Sequence, residues 1–429
     1  MNDTRLLAAL APMVGFRPGV AAPDSAPESP GGALPAYLSE TLTGVYVQDL
    51  HPLLTLETLQ AALPGLTDAT PSAPVWDEAT TYAAGAVVLE SSPGDRLFRA
   101  KTTNLNQPPA TNADDWQATT RLAAALEAGR VAALRRLLTG FRLHQNVGQY
   151  AKRLRDRTPL YLGEARATNL VPKSGRFVGY RFTLREADLA CEVQRLGLQL
   201  SEAQSLAVYL FHSSQTAPVA TFELAYDQPG RFQYFDVTPT ALDRTEGHYL
   251  LGYFEASLTG QALESAPRVF MDGCGACDSA SAAQRSAWGR YVGVVPLRVG
   301  SPGTPGTLGF APEATQDTPE SAYGLNAVMS FRCDPTELFI RERWAFAPAV
   351  QAALKLHFLE QIAFTQRVSG LSEAAAAMAK ELLESARPNN PRTEFLESLK
   401  ALSIEFSSLN RLCLPSSMAG GFAVRTRAA

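Results

Sequence analysis

The sequence predicts an α+β multidomain chain: an antiparallel β-sandwich core of jelly-roll-like type, a small β-module inserted ahead of it, and a helical C-terminal region. Three observations carry that expectation. Between residues 160 and 297 apolar side chains recur with period two in short runs bounded by turn residues, the pattern of half-buried antiparallel strands. Between residues 350 and 413 they recur every three or four positions, the spacing of a helical stripe. The chain has 429 residues, more than one compact core usually holds, so the two patterns belong to different domains. With 46% hydrophobic and 19% charged residues it is not a wholly disordered chain, and 31 Gly and 29 Pro demand many turns.

Residues 1–75 read as an extended N-terminal region with a short strand and short helices. The first dozen residues suit a docking helix, residues 37–47 suit one strand, and residues 55–63 carry a short helical pattern. Two Pro-rich spacers interrupt it, one at 17–36 with five prolines and three glycines, the other LTDATPSAP ending at Pro74. Residues 118–158 form a basic helical connector, on which Leu122, Leu126, Leu134, Leu137 and Leu138 mark an amphipathic face. Residues 159–300 are the sandwich: Val178, Tyr180, Phe182 and Leu184 alternate, LAVYLF (206–211) is apolar on both faces, and VATFEL, RFQYFDV, HYLLGYF and the 290–299 segment follow. Residues 301–334 are expected to be loop or linker. Residues 335–415 are a helical domain, with Val350, Leu354, Phe358 and Ile362 on one helix and a seam of Phe395, Leu399, Leu402, Phe406, Leu409 and Cys413 on another. Pro388 and Pro391 break the chain between helices. Residues 416–429 are a small, polar, mobile tail.

The segment 76–117 has its own character. Trp76 precedes Tyr82-x-x-Gly85-x-Val87-Val88, then Phe98-Arg-Ala100-Lys101, Pro108-Pro109 and a closing Trp116. This order resembles the carbohydrate-binding modules of families 5 and 12 over 42 residues, about a tenth of the chain. The resemblance implies a miniature core built on the Trp and Tyr, with aromatic faces that stack on sugars. It makes Trp76, Tyr82, Phe98 and Trp116 the candidate carbohydrate contacts, with the module's own core as the competing role for the same rings. Thr102 and Thr103 stand where chitin-binding members place exposed aromatics. Such modules also occur as inserts in bacteriophage tail and surface proteins. YLFHSS (209–214), FQYFDV (232–237), YLLGYFEASL (249–258) and NRLCLP (410–415) are similar to stretches of structural proteins of tailed phages. Together these imply a non-enzymatic neck or tail subunit of a virion, made in the host bacterial cytoplasm. Its expected partners are other copies of itself and neighbouring virion proteins, with a surface glycan as a possible further ligand.

Five cysteines are too few for a disulfide scaffold at this length. Cys274 and Cys277 have the spacing of a zinc-binding pair, and a closed structural site would need two further ligands such as Cys333 and Cys413. No other cofactor is expected. A disulfide and merely packed thiols are the alternatives for these cysteines. Asp272 and Asp278 in the same loop lack calcium-loop spacing. The net charge of -4 gives no field toward polyanions, yet residues 121–157 hold nine Lys or Arg against Glu127 and Asp156, a local +7. With only Phe141 and Tyr150 interleaved, that segment points to protein or solvent contact ahead of nucleic acid. No apolar run is long enough to span a bilayer, so no membrane role is expected, and the stretch at 6–14 lacks the basic leader of a secretion signal. Phosphate-loop, zinc-helix and nucleophile-elbow motifs are missing from the sequence. His212 stands beside Ser213 and Ser214, but the string reads as a strand end with no third group to orient a base.

Overall fold

The computed structural model describes residues 1–17, 34–63, 73–90, 96–105, 107–161, 169–242, 244, 246–264, 289, 291–300, 315–318, 321–365, 370–385 and 390–414. It is a mixed α+β chain with several antiparallel sheets. Its contacts fall into two compact units, residues 2–147 with 339–405, and residues 148–338 with 406–429 and Met1.

The first unit is built on helices. Helix α1 (Asp3–Leu10) begins where the Asn2 side chain accepts from the Arg5 amide, and it buries Leu6 and Leu10. Helix α2 (Leu56–Ala62) starts at Thr55, whose hydroxyl accepts from the Thr58 amide. The expected strand at 37–47 is instead a short helix at Ala36–Ser39 and a two-residue strand at Val45–Tyr46, which pairs in parallel with Val14–Gly15. The long α3 (Arg121–His144) is capped by Thr120. It is crossed closely by α4 (Ala347–Ala363) and α6 (Pro391–Ala401): a Cβ on Gly129 would lie 2.7 Å from Phe358, and one on Gly140 2.7 Å from Leu399. These two glycines let helix backbones approach where larger residues would hold them apart. Phe141 adds edge-on contacts to Phe339 and Phe346 at 5.1 and 4.9 Å. α4 buries nine side chains from Ala349 to Ile362, so its apolar residues face every direction and its stripe is no longer amphipathic. Between α5 (Gly370–Glu384) and α6, Asn390 accepts from the Arg392 amide and donates to the carbonyls of Leu383 and Ser385. It closes one helix and opens the next.

The seam expected from 395 to 413 is not one helix. α6 stops at Ala401, and Leu402 and Ile404 are buried while Ser403 and Glu405 are exposed, the period of extended chain. The seam's last three members, Phe406, Leu409 and Cys413, belong to the second unit.

Within the first unit, five short strands form the inserted module. β1 (Thr81–Tyr82) pairs with β4 (Asn104–Leu105), and β2 (Val87–Glu90), β3 (Arg96–Ala100) and β5 (Trp116–Thr119) form an antiparallel sheet in the order β2-β3-β5.

Among the described residues the second unit holds twelve strands: β6 (Arg153–Pro159), β7 (Asn169–Val171), β8 (Phe177–Leu184), β9 (Leu189–Leu198), β10 (Gln204–His212), β11 (Ala220–Tyr226), β12 (Gln233–Leu242), β13 (Tyr249–Phe254), β14 (Ala262–Glu264), β15 (Val292–Val299), β16 (Thr315–Asp317) and β17 (Leu325–Cys333). They make a six-stranded sheet, β11-β10-β13-β8-β15-β16, a four-stranded sheet, β12-β9-β17-β6, and the pair β14-β7. All neighbours are antiparallel. The region 301–334, expected as linker, thus contains two strands, one of them central. The turn before β17 ties the two large sheets together. Tyr180 from β8, Tyr253 from β13 and Tyr161 donate their hydroxyls to carbonyls of Ala322, Tyr323 and Leu325. Tyr323 and Gly324 turn there with φ of +51° and +60°, and a Cβ on Gly324 would lie 2.3 Å from the Gln199 carbonyl. Burial pushes the Tyr180 and Tyr253 hydroxyls well above the ordinary tyrosine range, so they stay protonated donors. On the opposite face of the six-stranded sheet, Phe177, Phe211, Leu250, Phe254, Leu297 and Val299 form a second buried cluster.

Candidate functional site

The aromatic rings of the inserted module pack together. Tyr82, Phe98 and Trp116 are buried with Val88 and Ala100 in one core, and Trp76 packs against it half-buried. Tyr82 meets Trp116 edge to face at 5.5 Å, the Trp116 indole donates to the Gln107 carbonyl at 2.8 Å, and the Asp77 amide donates to the Tyr82 hydroxyl at 2.7 Å. These four are the module's only aromatic residues. A ring whose faces are covered by its own core has none free to stack on a sugar, so the carbohydrate roles considered for Tyr82, Phe98 and Trp116 give way to packing roles.

The cysteines come together differently from a zinc site. Cys333, at the end of β17, is joined to Cys413 in a disulfide with Cα atoms 5.5 Å apart. A disulfide sulfur is no longer a thiolate, which removes both from the ligand set expected for zinc. Cys274 and Cys277, with Asp272 and Asp278, lie outside the described residues. Cys191 is a free, buried thiol whose pKa burial pushes up. Among the described residues no group of three or more His, Cys, Asp or Glu side chains is placed to hold a metal ion.

The basic stretch 121–157 divides between the two units. Its helix ends at His144, and Arg153, Arg155 and Arg157 sit on strand β6 in the other unit. Arg136 pairs with Glu360 and Arg142 with Asp3, while on β6 Arg153 pairs with Asp156 at 3.2 Å. Arg130 is 3% exposed. Its guanidinium bonds Glu127 and the carbonyls of Ala11, Val14 and Tyr37. Glu360 and Asp3 thus each pair with one of the basic residues counted in the +7.

His212 is also structural in its bonding. One ring nitrogen, Nδ1, lies 2.7 Å from the Ser214 hydroxyl and accepts from the Ser214 amide, and the other lies 2.9 Å from the Glu246 carbonyl. The ring, 3% exposed and edge-on to Tyr249 at 4.7 Å, pins the turn after β10. Among the described residues no helix is long and apolar enough to cross a membrane. Comparison with family models, with curated proteins and with solved structures finds no match.

Proposed function

We propose that this chain is a structural subunit of a phage or phage-like particle, a neck or tail component that acts by assembling with other copies of itself and with neighbouring virion proteins. In this reading the two large sheets form one jelly-roll-like sandwich domain, the module at 76–117 is a surface-exposed knob, and the protein resides in the virion. The observation that carries the assembly role is an uncovered apolar face on the helical unit. Leu371 and Met378, seven residues apart on α5, are 44% and 50% exposed, and Phe364 beyond the end of α4 is 60% exposed. The short phage-like strings in the sequence supply the particle context.

The test is the assembly state. Light scattering at high protein concentration and electron microscopy should find rings or higher assemblies, and Met378→Glu should weaken them. A compact monomer at every concentration, with no recruitment to purified particles, overturns the proposal. A chitin pull-down and a glycan array address the other reading, a glycan-binding adhesin using the module. Specific binding that a folded Trp76→Ala variant loses would establish that reading in its place.

A further inference from the structure

Beside the module, within the same unit, lies a cleft of about 840 Å³. Its walls come from α1, from α3, from the segment around Tyr37, and from the Ala84–Gly85 turn of the module with Arg99 on β3. Most of the lining is small and apolar: Leu7, Ala11, Ala124, Ala128 and Val131 provide space where longer side chains would fill it. That volume is in the range of sites that enclose small organic ligands.

Two guanidinium groups and one inward carboxylate share the polar end. Glu127 is committed to Arg130, which reaches it at 2.9 Å through Nε and 2.6 Å through a terminal nitrogen. Arg130 is further saturated by three backbone carbonyls. Arg99 receives the remainder: a contact of 3.5 Å to the other Glu127 oxygen and the face of Tyr37 at 4.4 Å. Its Nε is buried and has no hydrogen-bond partner. The Arg99 side chain is 20% exposed, and a Cβ on Gly85 would lie at an ordinary 3.7 Å from its terminal nitrogen, which places the module turn beside the guanidinium. At the rim, Glu40 and Arg135 are exposed and of opposite sign. The inner end thus carries one positive charge in excess, partly desolvated, next to an apolar wall. A partly buried cation whose carboxylate partner is held more closely by a second cation is an arrangement that an anion satisfies.

We propose that this cleft binds a small organic anion with an apolar body, its carboxylate or sulfonate on Arg99 and its body along the α1 and α3 walls. The site owes nothing to sugar stacking and is independent of how the chain assembles.

The test uses the full chain with two fluorescent probes of similar body, the anionic 1-anilinonaphthalene-8-sulfonate and its uncharged parent N-phenyl-1-naphthylamine. The intact protein should bind the anion more tightly. Arg99→Gln should weaken the anion roughly tenfold or more and leave the neutral probe unchanged, while Arg99→Lys should retain part of the preference. Ala128→Trp starts from an exposed position on the cleft wall, fills the cleft, and should abolish both signals with the melting temperature unchanged. Equal affinity for the two probes, an unaltered anion affinity in Arg99→Gln, or full binding in Ala128→Trp each overturns the proposal.

Discussion

Gly252 on β13 faces Gly179 on β8 across the middle of the six-stranded sheet. A Cβ built on Gly252 would stand 2.1 Å from the Val178 carbonyl oxygen and 2.9 Å from the Phe177 ring. The obstacle is backbone in a sheet buried on both faces at this point, and a real Cβ contact needs roughly 3.4 Å or more, so the strands must part by about 1 Å. Overpacking of this severity costs about 3 kcal/mol, the upper part of the usual range. For a unit of this size that corresponds to a fall of roughly 6–12 °C in melting temperature. Gly293 on β15 of the same sheet is the internal control, because its added Cβ would meet Thr183 at an ordinary 3.7 Å. Gly293→Ala should melt within about 2 °C of the natural protein, since it adds no clash and reduces unfolded-state freedom. Calorimetry of the two variants side by side makes the comparison. If Gly252→Ala melts with Gly293→Ala, the close strand approach is refuted.

Removing the Cys333–Cys413 link, which spans a sequence separation of 80, should cost about 4–5 kcal/mol on a chain-entropy estimate, read as a lower melting temperature in Cys333→Ser or in reductant. In the same experiment Cys191 should resist alkylation in the native protein and react only after unfolding, because burial holds its thiol protonated. Glu255 accepts from the amides of Ser174 and Arg176 and from the Arg176 guanidinium. Burial alone would raise its pKa, but the Arg176 side chain and those amides outweigh it and hold the carboxyl below its ordinary 4.5. A depressed carboxylate stabilises the fold above its unfolded pKa and loses that contribution as pH falls through the folded value. The natural protein should therefore weaken below about pH 4.5, and Glu255→Gln should flatten that acid limb while costing roughly 3 kcal/mol at pH 7. Denaturant melts from pH 3 to 7 decide it. Trp116→Ala should remove about 3–5 kcal/mol from the module core, seen as lost amide protection across residues 76–119 by hydrogen exchange; unchanged protection there would show that the ring is not a core residue.

Legibility in the sequence followed burial on one face. Val178, Tyr180, Phe182 and Leu184 were readable as β8 because their alternation survives, even though Phe177 and Val178 are both fully covered. β9 and β17 were missed although Cys191 and Val193 alternate with Glu192 and Gln194, and Leu325, Ala327, Met329, Phe331 and Cys333 alternate with Asn326, Ser330 and Arg332. β9 slips register between Val193 and Arg195, and β17 follows a stretch rich in Pro and Gly that reads as linker. Helices announced themselves through apolar spacing; the structure adds that Thr55, Thr120 and Asn390 cap three of their starts. The seam from Phe395 to Cys413 misled because helical spacing continued past Ala401 after the backbone had become extended.

What the sequence by itself determined was whatever depends on neighbours within a turn or a strand: helical stripes, alternating strands, the order of the module's aromatic residues and the uneven charge. Tertiary structure decided the rest. It turned Tyr82, Phe98 and Trp116 inward, joined Cys333 to Cys413, divided the basic stretch between two units, and brought Tyr37, Arg99, Glu127 and Arg130 to one cleft. The physical reason is range. Periodicity and capping are set by spacings of two to four residues, whereas which carboxylate neutralises which guanidinium, and which ring face stays open, depend on distances between residues far apart along the chain.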